Sequence, residues 1–82
     1  MIPTESALPQ EILVDARDLE PPEPFERAMA AVELLRPGQR VRLLLHREPF
    51  PLYNLLDSMG MRHETSFTVA DGYFTILIDR DR

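Results

Sequence analysis

Asp15-Ala16-Arg17-Asp18-Leu19-Glu20-Pro21-Pro22-Glu23-Pro24 is the stretch that decides the fold of this chain. The apolar run Ile12, Leu13 and Val14 leads into it as a strand, and a helical spacing of apolar residues leaves it. Its three prolines fall where the first turn of a helix accepts them, because the leading N–H groups there have no intrahelical acceptor. The stretch reads as a rigid strand-to-helix corner with the helix N-terminus facing outward. Such corners can serve chemistry or anion binding.

Working outward, the first strand covers roughly residues 11–16, and the first helix roughly 23–35. In that helix Phe25, Ala28, Met29, Val32 and Leu35 make one apolar stripe, and Pro37-Gly38 ends it. Arg40 to His46 alternates Val41, Leu43 and Leu45 against Arg40, Arg42 and His46, with Leu44 breaking the polar row, and reads as the second strand. A second helix starts near Pro51 and buries Leu52, Leu55, Leu56 and Met59. Gly60 stands where a helix takes a left-handed residue, and Met61 where an apolar contact back to Leu56 belongs. The third strand, roughly 62–69, is polar and suits an edge. Asp71-Gly72 is a hairpin signal, and Tyr73 to Asp79 is the most apolar strand and so the central one.

The order β-α-β-α-β-β with right-handed crossovers places both helices on one face of a four-stranded mixed sheet of order 1-2-4-3. The expected fold is an α+β two-layer sandwich with one sheet face uncovered. Residues 1–10 lack periodicity and read as a flexible N-terminal tail, and 11–82 as a single domain.

The chain has 82 residues, 44% hydrophobic and 28% charged. A domain this small buries only about 60% of its unfolded surface, so its stability is marginal without a partner. Nine basic residues, all arginine, against fourteen acidic ones give a net charge of −5, which argues against nucleic acid. Without cysteine there is no disulfide, thiolate zinc site, iron–sulfur cluster or thiol nucleophile. Met1 to Gln10 has no basic-then-apolar leader, and no segment approaches the run of about eighteen apolar residues that spans a membrane. The expectation is a cytoplasmic protein with no membrane contact and no cofactor.

The corner resembles that of the TusA/SirA sulfur-carrier family, which opens with a strand and a stretch like Asp-x-Arg-Gly-Leu-x-Cys-Pro-x-Pro before its first helix. Asp15, Arg17, Leu19, Pro22 and Pro24 match, while Asp18 stands for the glycine and Pro21 for the cysteine. The resemblance covers roughly residues 11–80. Arg47-Glu48-Pro49-Phe50-Pro51-Leu52-Tyr53 is similar to the acidic-Pro-x-Pro-Leu-Tyr segment of an uncharacterised bacterial domain family of the same fold group. Members of that family tend to accompany hemerythrin-like and nitrogen-oxide metabolism proteins. The resemblance implies a TusA/SirA-like fold, with Asp18 in the left-handed position that glycine fills in the relatives. It also implies no sulfur relay, since proline at 21 offers neither nucleophile nor N–H.

Three strands run parallel in this topology, so their C-terminal ends share one edge. That edge gathers Asp15, Arg17, Glu20, Glu23, His46, Arg47, Glu48 and Tyr53 as candidate ligand or partner contacts. Glu20, Glu23 and Glu48 either cap the helix starts, at about 0.3–1 kcal/mol each, or meet a ligand. Asp15 and Arg17 either form a local ion pair and turn bonds or bind a partner. His46 is an exposed histidine, a proton donor or one ligand of a metal. The other histidine, His63, starts the third strand about 20 Å away, at about 3.3 Å per residue, and cannot share that metal. Tyr53 packs its ring with a wet hydroxyl, and Phe50 staples the helix start.

The uncovered face, with Leu13, Leu44, Thr75 and Leu77 beside Arg42, is the second candidate surface, for a partner or a homodimer. No cavity is expected in so small a two-layer fold. The function expected is a non-catalytic protein-interaction module. The alternative is an accessory small-molecule or metal domain using the edge around His46 and Asp15.

Overall fold

The computed structural model describes residues 10–80, so the tail expected over 1–10 lies, apart from Gln10, outside the described residues. The elements are β1 (Glu11–Asp15), α1 (Glu23–Glu33), β2 (Arg40–Leu45), α2 (Phe50–Ser58), β3 (Met61–Thr68) and β4 (Tyr73–Arg80). The sheet order is β1-β2-β4-β3, with β1 parallel to β2 and β4 antiparallel to both its neighbours. The expected order is thus observed, because the most apolar strand takes the interior position where both its edges are paired.

Both helices pack on the same sheet face. Val41, Leu43 and Leu45 of β2 and Ile76 and Ile78 of β4 join Ala28, Ala31 and Val32 of α1 and Leu52 and Leu56 of α2 in one core. Helix α1 stops at Glu33, two residues short of the apolar stripe's end. There the N–H groups of Leu34 and Leu35 donate to the carbonyls of Ala31 and Val32, tightening the last turn. Helix α2 ends as its sequence implies. Gly60 takes φ 73°, its N–H donates to the Asp57 carbonyl at 3.1 Å, and Met61 turns back into the core that holds Leu56.

The stripes are less fully buried than their spacing implies. Phe25 is 40% exposed, Met59 is exposed and Leu55 only half-buried. Burial of α1 begins at Ala28, because its first turn overhangs the strand ends rather than the sheet.

The open face also departs from expectation. The registers Leu13↔Arg42↔Leu77 and Asp15↔Leu44↔Thr75 put the expected residues on one face. Leu13 is 60% exposed, whereas Leu44 and Thr75 are buried. The face is laced with charge: Glu11 accepts from Arg40 and Arg42, both at 3.0 Å, and Arg62 donates to Asp79 at 2.8 Å. The Arg42 bond is the main cause holding the Glu11 carboxyl below the usual carboxylate range. Leu13, exposed, and Leu77, half-buried, are thus separated on this face by the Arg42–Glu11 pair. No helix among the described residues is long and apolar enough to cross a membrane.

Candidate functional site

The corner after β1 is held by one ion pair. Arg17 donates through Nε to Asp15 Oδ1 and through Nη2 to Oδ2, both at 2.8 Å, and its backbone N–H donates to Oδ1 at 3.2 Å. These bonds from Arg17 hold the Asp15 carboxyl well down, at about 2, and raise the guanidinium in return. The guanidinium then lies over the Tyr73 ring, 4.7 Å from its centroid. Tyr73 begins β4, and β2 lies between β1 and β4. Arg17 is therefore a strap on the open face, running from the end of β1 past the end of β2 to the start of β4, one row beyond Leu44 and Thr75.

The turn itself is ordinary. Leu19 N–H donates to the Ala16 carbonyl at 3.3 Å, and among the described residues only glycines have positive φ. Asp18 is thus not left-handed, contrary to the expectation from the glycine it replaces, because a turn with both central residues at negative φ accepts any side chain.

The helix starts do not form the anion site that the dipole argument favours. Their N-caps are Pro22 and Pro49, and neither start has a side-chain cap. Glu23 and Glu26 donate their N–H groups to Glu20 and Pro22 carbonyls, while Phe50, Leu52 and Tyr53 donate to Glu48 and Pro49 carbonyls. Pro24 and Pro51 carry no N–H at all. Phe25 alone keeps a free N–H at these starts among the described residues. None of the expected carboxylates makes a side-chain cap bond, though Glu23 stands in the first turn of α1, where its charge meets the helix dipole. Glu20 makes no ion pair among the described residues, Glu23 also meets Arg27 at 3.4 Å, and Glu48 accepts from Tyr53.

The prolines instead wall a cleft of about 590 Å³ between the two loops. Leu19, Pro21, Pro22, Pro24 and Phe25 line one side, Pro49, Pro51 and Leu52 the other, and Leu43 and Leu45 the floor. Arg17, Glu20, His46, Arg47 and Glu48 supply its polar groups. The expectation of no cavity is therefore wrong. Proline-fixed loops cannot fold inward over the strand ends, so the space between them stays open.

All four phenylalanines gather at this end, on the helix side of the sheet, and none is buried. Phe25 lines the cleft; Phe50, 62% exposed, opens α2; Phe67, 49% exposed, packs on Phe74 at 4.7 Å between centroids. Phe74 pairs in register with Leu45 of the cleft floor. Phe50 packs edge-on against the Tyr53 ring at 5.8 Å over the first turn of α2, while its outer side stays exposed.

Over residues 13–80 the sequence matches a conserved family described as an uncharacterized conserved protein (DUF2249). The chain belongs to this family. The DUF2249 match spans both loops and the whole cleft, so the site lies within the family domain. Comparison with curated proteins and with solved structures gives no match.

Of the edge residues expected from sequence, this DUF2249 domain brings Arg17, Glu20, His46, Arg47 and Glu48 to the cleft. Asp15 stands behind it as the anchor of Arg17, and Glu23 lies outward on α1. Tyr53 turns towards β3: its hydroxyl donates to Glu48 Oε2 at 3.0 Å and meets Thr65 Oγ1 at 2.5 Å. Burial is the main cause raising the Tyr53 hydroxyl above its ordinary value, and its bond to Glu48 acts the same way. His63 stacks on the Tyr53 ring at 4.9 Å and reaches Asp57 at 2.7 Å, far along the sheet from His46. His46 Nδ1 lies 3.3 Å from the Gly72 carbonyl. Among the described residues no three metal-binding side chains converge. Sequence reasoning missed Phe25, Pro49 and the cleft floor; the signal was the recurrence of prolines in both loops that follow parallel strands.

Proposed function

We propose that this chain is a small non-catalytic protein-interaction module that docks an apolar segment of another protein in the proline-walled cleft. The observation that carries the reading is the exposure of Phe25 in the cleft wall and of Phe50 at the adjoining start of α2, with Phe67 and Phe74 paired at the same end of the sheet, while the core is built chiefly from leucine, isoleucine, valine and alanine. A folded chain this short gains most by burying its largest apolar side chains, so their exposure at one end marks a surface meant for covering. Rigid proline walls add to this, since a preformed cleft loses little entropy on binding. Resemblance of Asp15, Arg17, Leu19, Pro22 and Pro24 to the sulfur-carrier corner supports a TusA/SirA-like ancestry and a bacterial, cytoplasmic setting. In that ancestry Pro21 has removed the sulfur chemistry and left the scaffold.

The test compares capture of host proteins by the wild-type chain and by a Phe25→Ala/Phe50→Ala variant. Both side chains are exposed, so the variant keeps its fold, and a specific partner is lost from it alone. Leu34→Ala, at the far end of α1, retains that partner. Equal recovery by all three chains refutes the reading.

One observation favours a second reading, an accessory small-molecule site. The cleft volume of about 590 Å³ lies within the range of such pockets, and its wall is apolar with few polar groups. A ligand there raises the melting temperature by mass action, and no shift across an apolar fragment set excludes it. A metal at this edge competes with bonds already made: Asp15 commits both oxygens to Arg17.

A further inference from the structure

The cleft's polar groups differ in how free they are. Arg17 is chelated by Asp15 and stacked on Tyr73, so its charge is compensated within the fold. Glu48 is the opposite case: it is half-buried in an apolar wall and held from behind. Thr65 bonds the Tyr53 hydroxyl, that hydroxyl donates to Glu48 Oε2, and stacking on His63 fixes the Tyr53 ring. Glu48 Oε1 makes no hydrogen bond among the described residues. Around the same end Asp18, Glu20 and Asp71 are exposed and form no ion pair among the described residues, against Arg47, the lining arginine that is likewise unpaired among them.

A carboxylate oriented by neighbours in apolar surroundings bonds a cation more strongly than a mobile surface one does. An excess of negative charge around it steers cationic partners and repels anionic ones. Resting on the docking reading above, we infer that the segment received by the cleft is basic: its apolar anchor fills the proline-walled space and an adjacent arginine or lysine meets Glu48. Tyr53 and Thr65 are then positioning residues that hold the Glu48 carboxylate towards the incoming cation.

The experiment uses the full chain and three labelled amphipathic peptides with identical leucine and phenylalanine positions. Their remaining positions are all arginine, all glutamine or all glutamate. Fluorescence anisotropy gives affinities, and amide shifts in ¹⁵N-labelled protein locate binding. The arginine peptide is expected to shift amides of Phe25, Leu45 and Glu48 and to bind about tenfold tighter than the glutamine peptide, the size of one charge-assisted hydrogen bond. Glu48→Gln removes that advantage and leaves the glutamine peptide unchanged. Glu33→Gln, which removes an equal charge from the end of α1, leaves the arginine advantage in place.

Equal binding of the arginine and glutamine peptides at the cleft overturns the basic-partner inference while the docking reading stands. Equal loss in Glu33→Gln and Glu48→Gln overturns it too, since the effect is then net charge alone. Absence of cleft shifts with every peptide refutes the docking reading itself.

Discussion

Replacing Tyr53 by phenylalanine isolates the hydroxyl that links α2, β3 and the cleft. The ring keeps its stacking on His63 at 4.9 Å and its edge contact with Phe50 at 5.8 Å, so packing is conserved. What disappears is the bond to Glu48 Oε2 at 3.0 Å and the bond with Thr65 Oγ1. Each is a part-buried side-chain hydrogen bond, worth about 0.5–1.5 kcal/mol net. Water reaches Glu48 once the hydroxyl is gone, which offsets part of the loss, so Tyr53→Phe should cost about 1–2 kcal/mol. In a domain of this length that corresponds to a fall in melting temperature of about 4–16 °C.

The same substitution has a signature in pH. Tyr53 titrates above its ordinary value of 10.0 in the folded state, with burial the leading cause. Its contribution to stability is therefore complete below pH 10 and is lost as pH rises through the folded value, because the unfolded chain ionises first. Urea denaturation followed by circular dichroism at pH 7, 9 and 11 measures both effects. Tyr53→Phe should be weaker at pH 7 and should lose less stability than the wild type between pH 9 and 11. A cost below about 0.3 kcal/mol together with an unchanged alkaline decline refutes the assignment of this hydroxyl as a structural link, being smaller than any net hydrogen bond.

Two further outcomes follow from the corner and the core. Asp15, held at about 2 against an ordinary 3.8, contributes stability that is present above pH 3.8 and lost as pH falls through about 2. Asp15→Asn should lower the melting temperature at neutral pH and flatten its acid decline between pH 4 and 2, and an identical acid limb in both proteins contradicts the strap. Leu56 is fully buried in the core, and Leu56→Ala should cost about 2–5 kcal/mol. Because small domains hold as little as about 5 kcal/mol in total, Leu56→Ala should keep as little as about 0–3 kcal/mol, with a melting temperature about 8–40 °C lower and an unfolded population visible in amide spectra at the upper end of the cost. A well-dispersed native spectrum with an unchanged melting temperature contradicts the placement of Leu56.

The elements were legible because each is specified by neighbours in sequence. Spacing of Ala28 and Val32, the turn at Gly60 and the alternation of Val41, Leu43 and Leu45 act over a few residues, and they recover the order 1-2-4-3 through the rule that the most apolar strand is central. The site was legible only in part. His46, Arg47 and Glu48 were placed at the correct edge by topology, yet the direction each side chain takes depends on partners distant in sequence.

Sequence alone determined the secondary structure, the sheet order and the exclusion of thiol chemistry, since these rest on local geometry and on which atoms the chain contains. Only the tertiary structure decided that Arg17 reaches past the end of β2 to Tyr73, that Tyr53 turns to Thr65, and that the prolines of two loops enclose a cleft. Those outcomes depend on distances between segments a dozen or more residues apart, which close packing sets and which no local periodicity encodes.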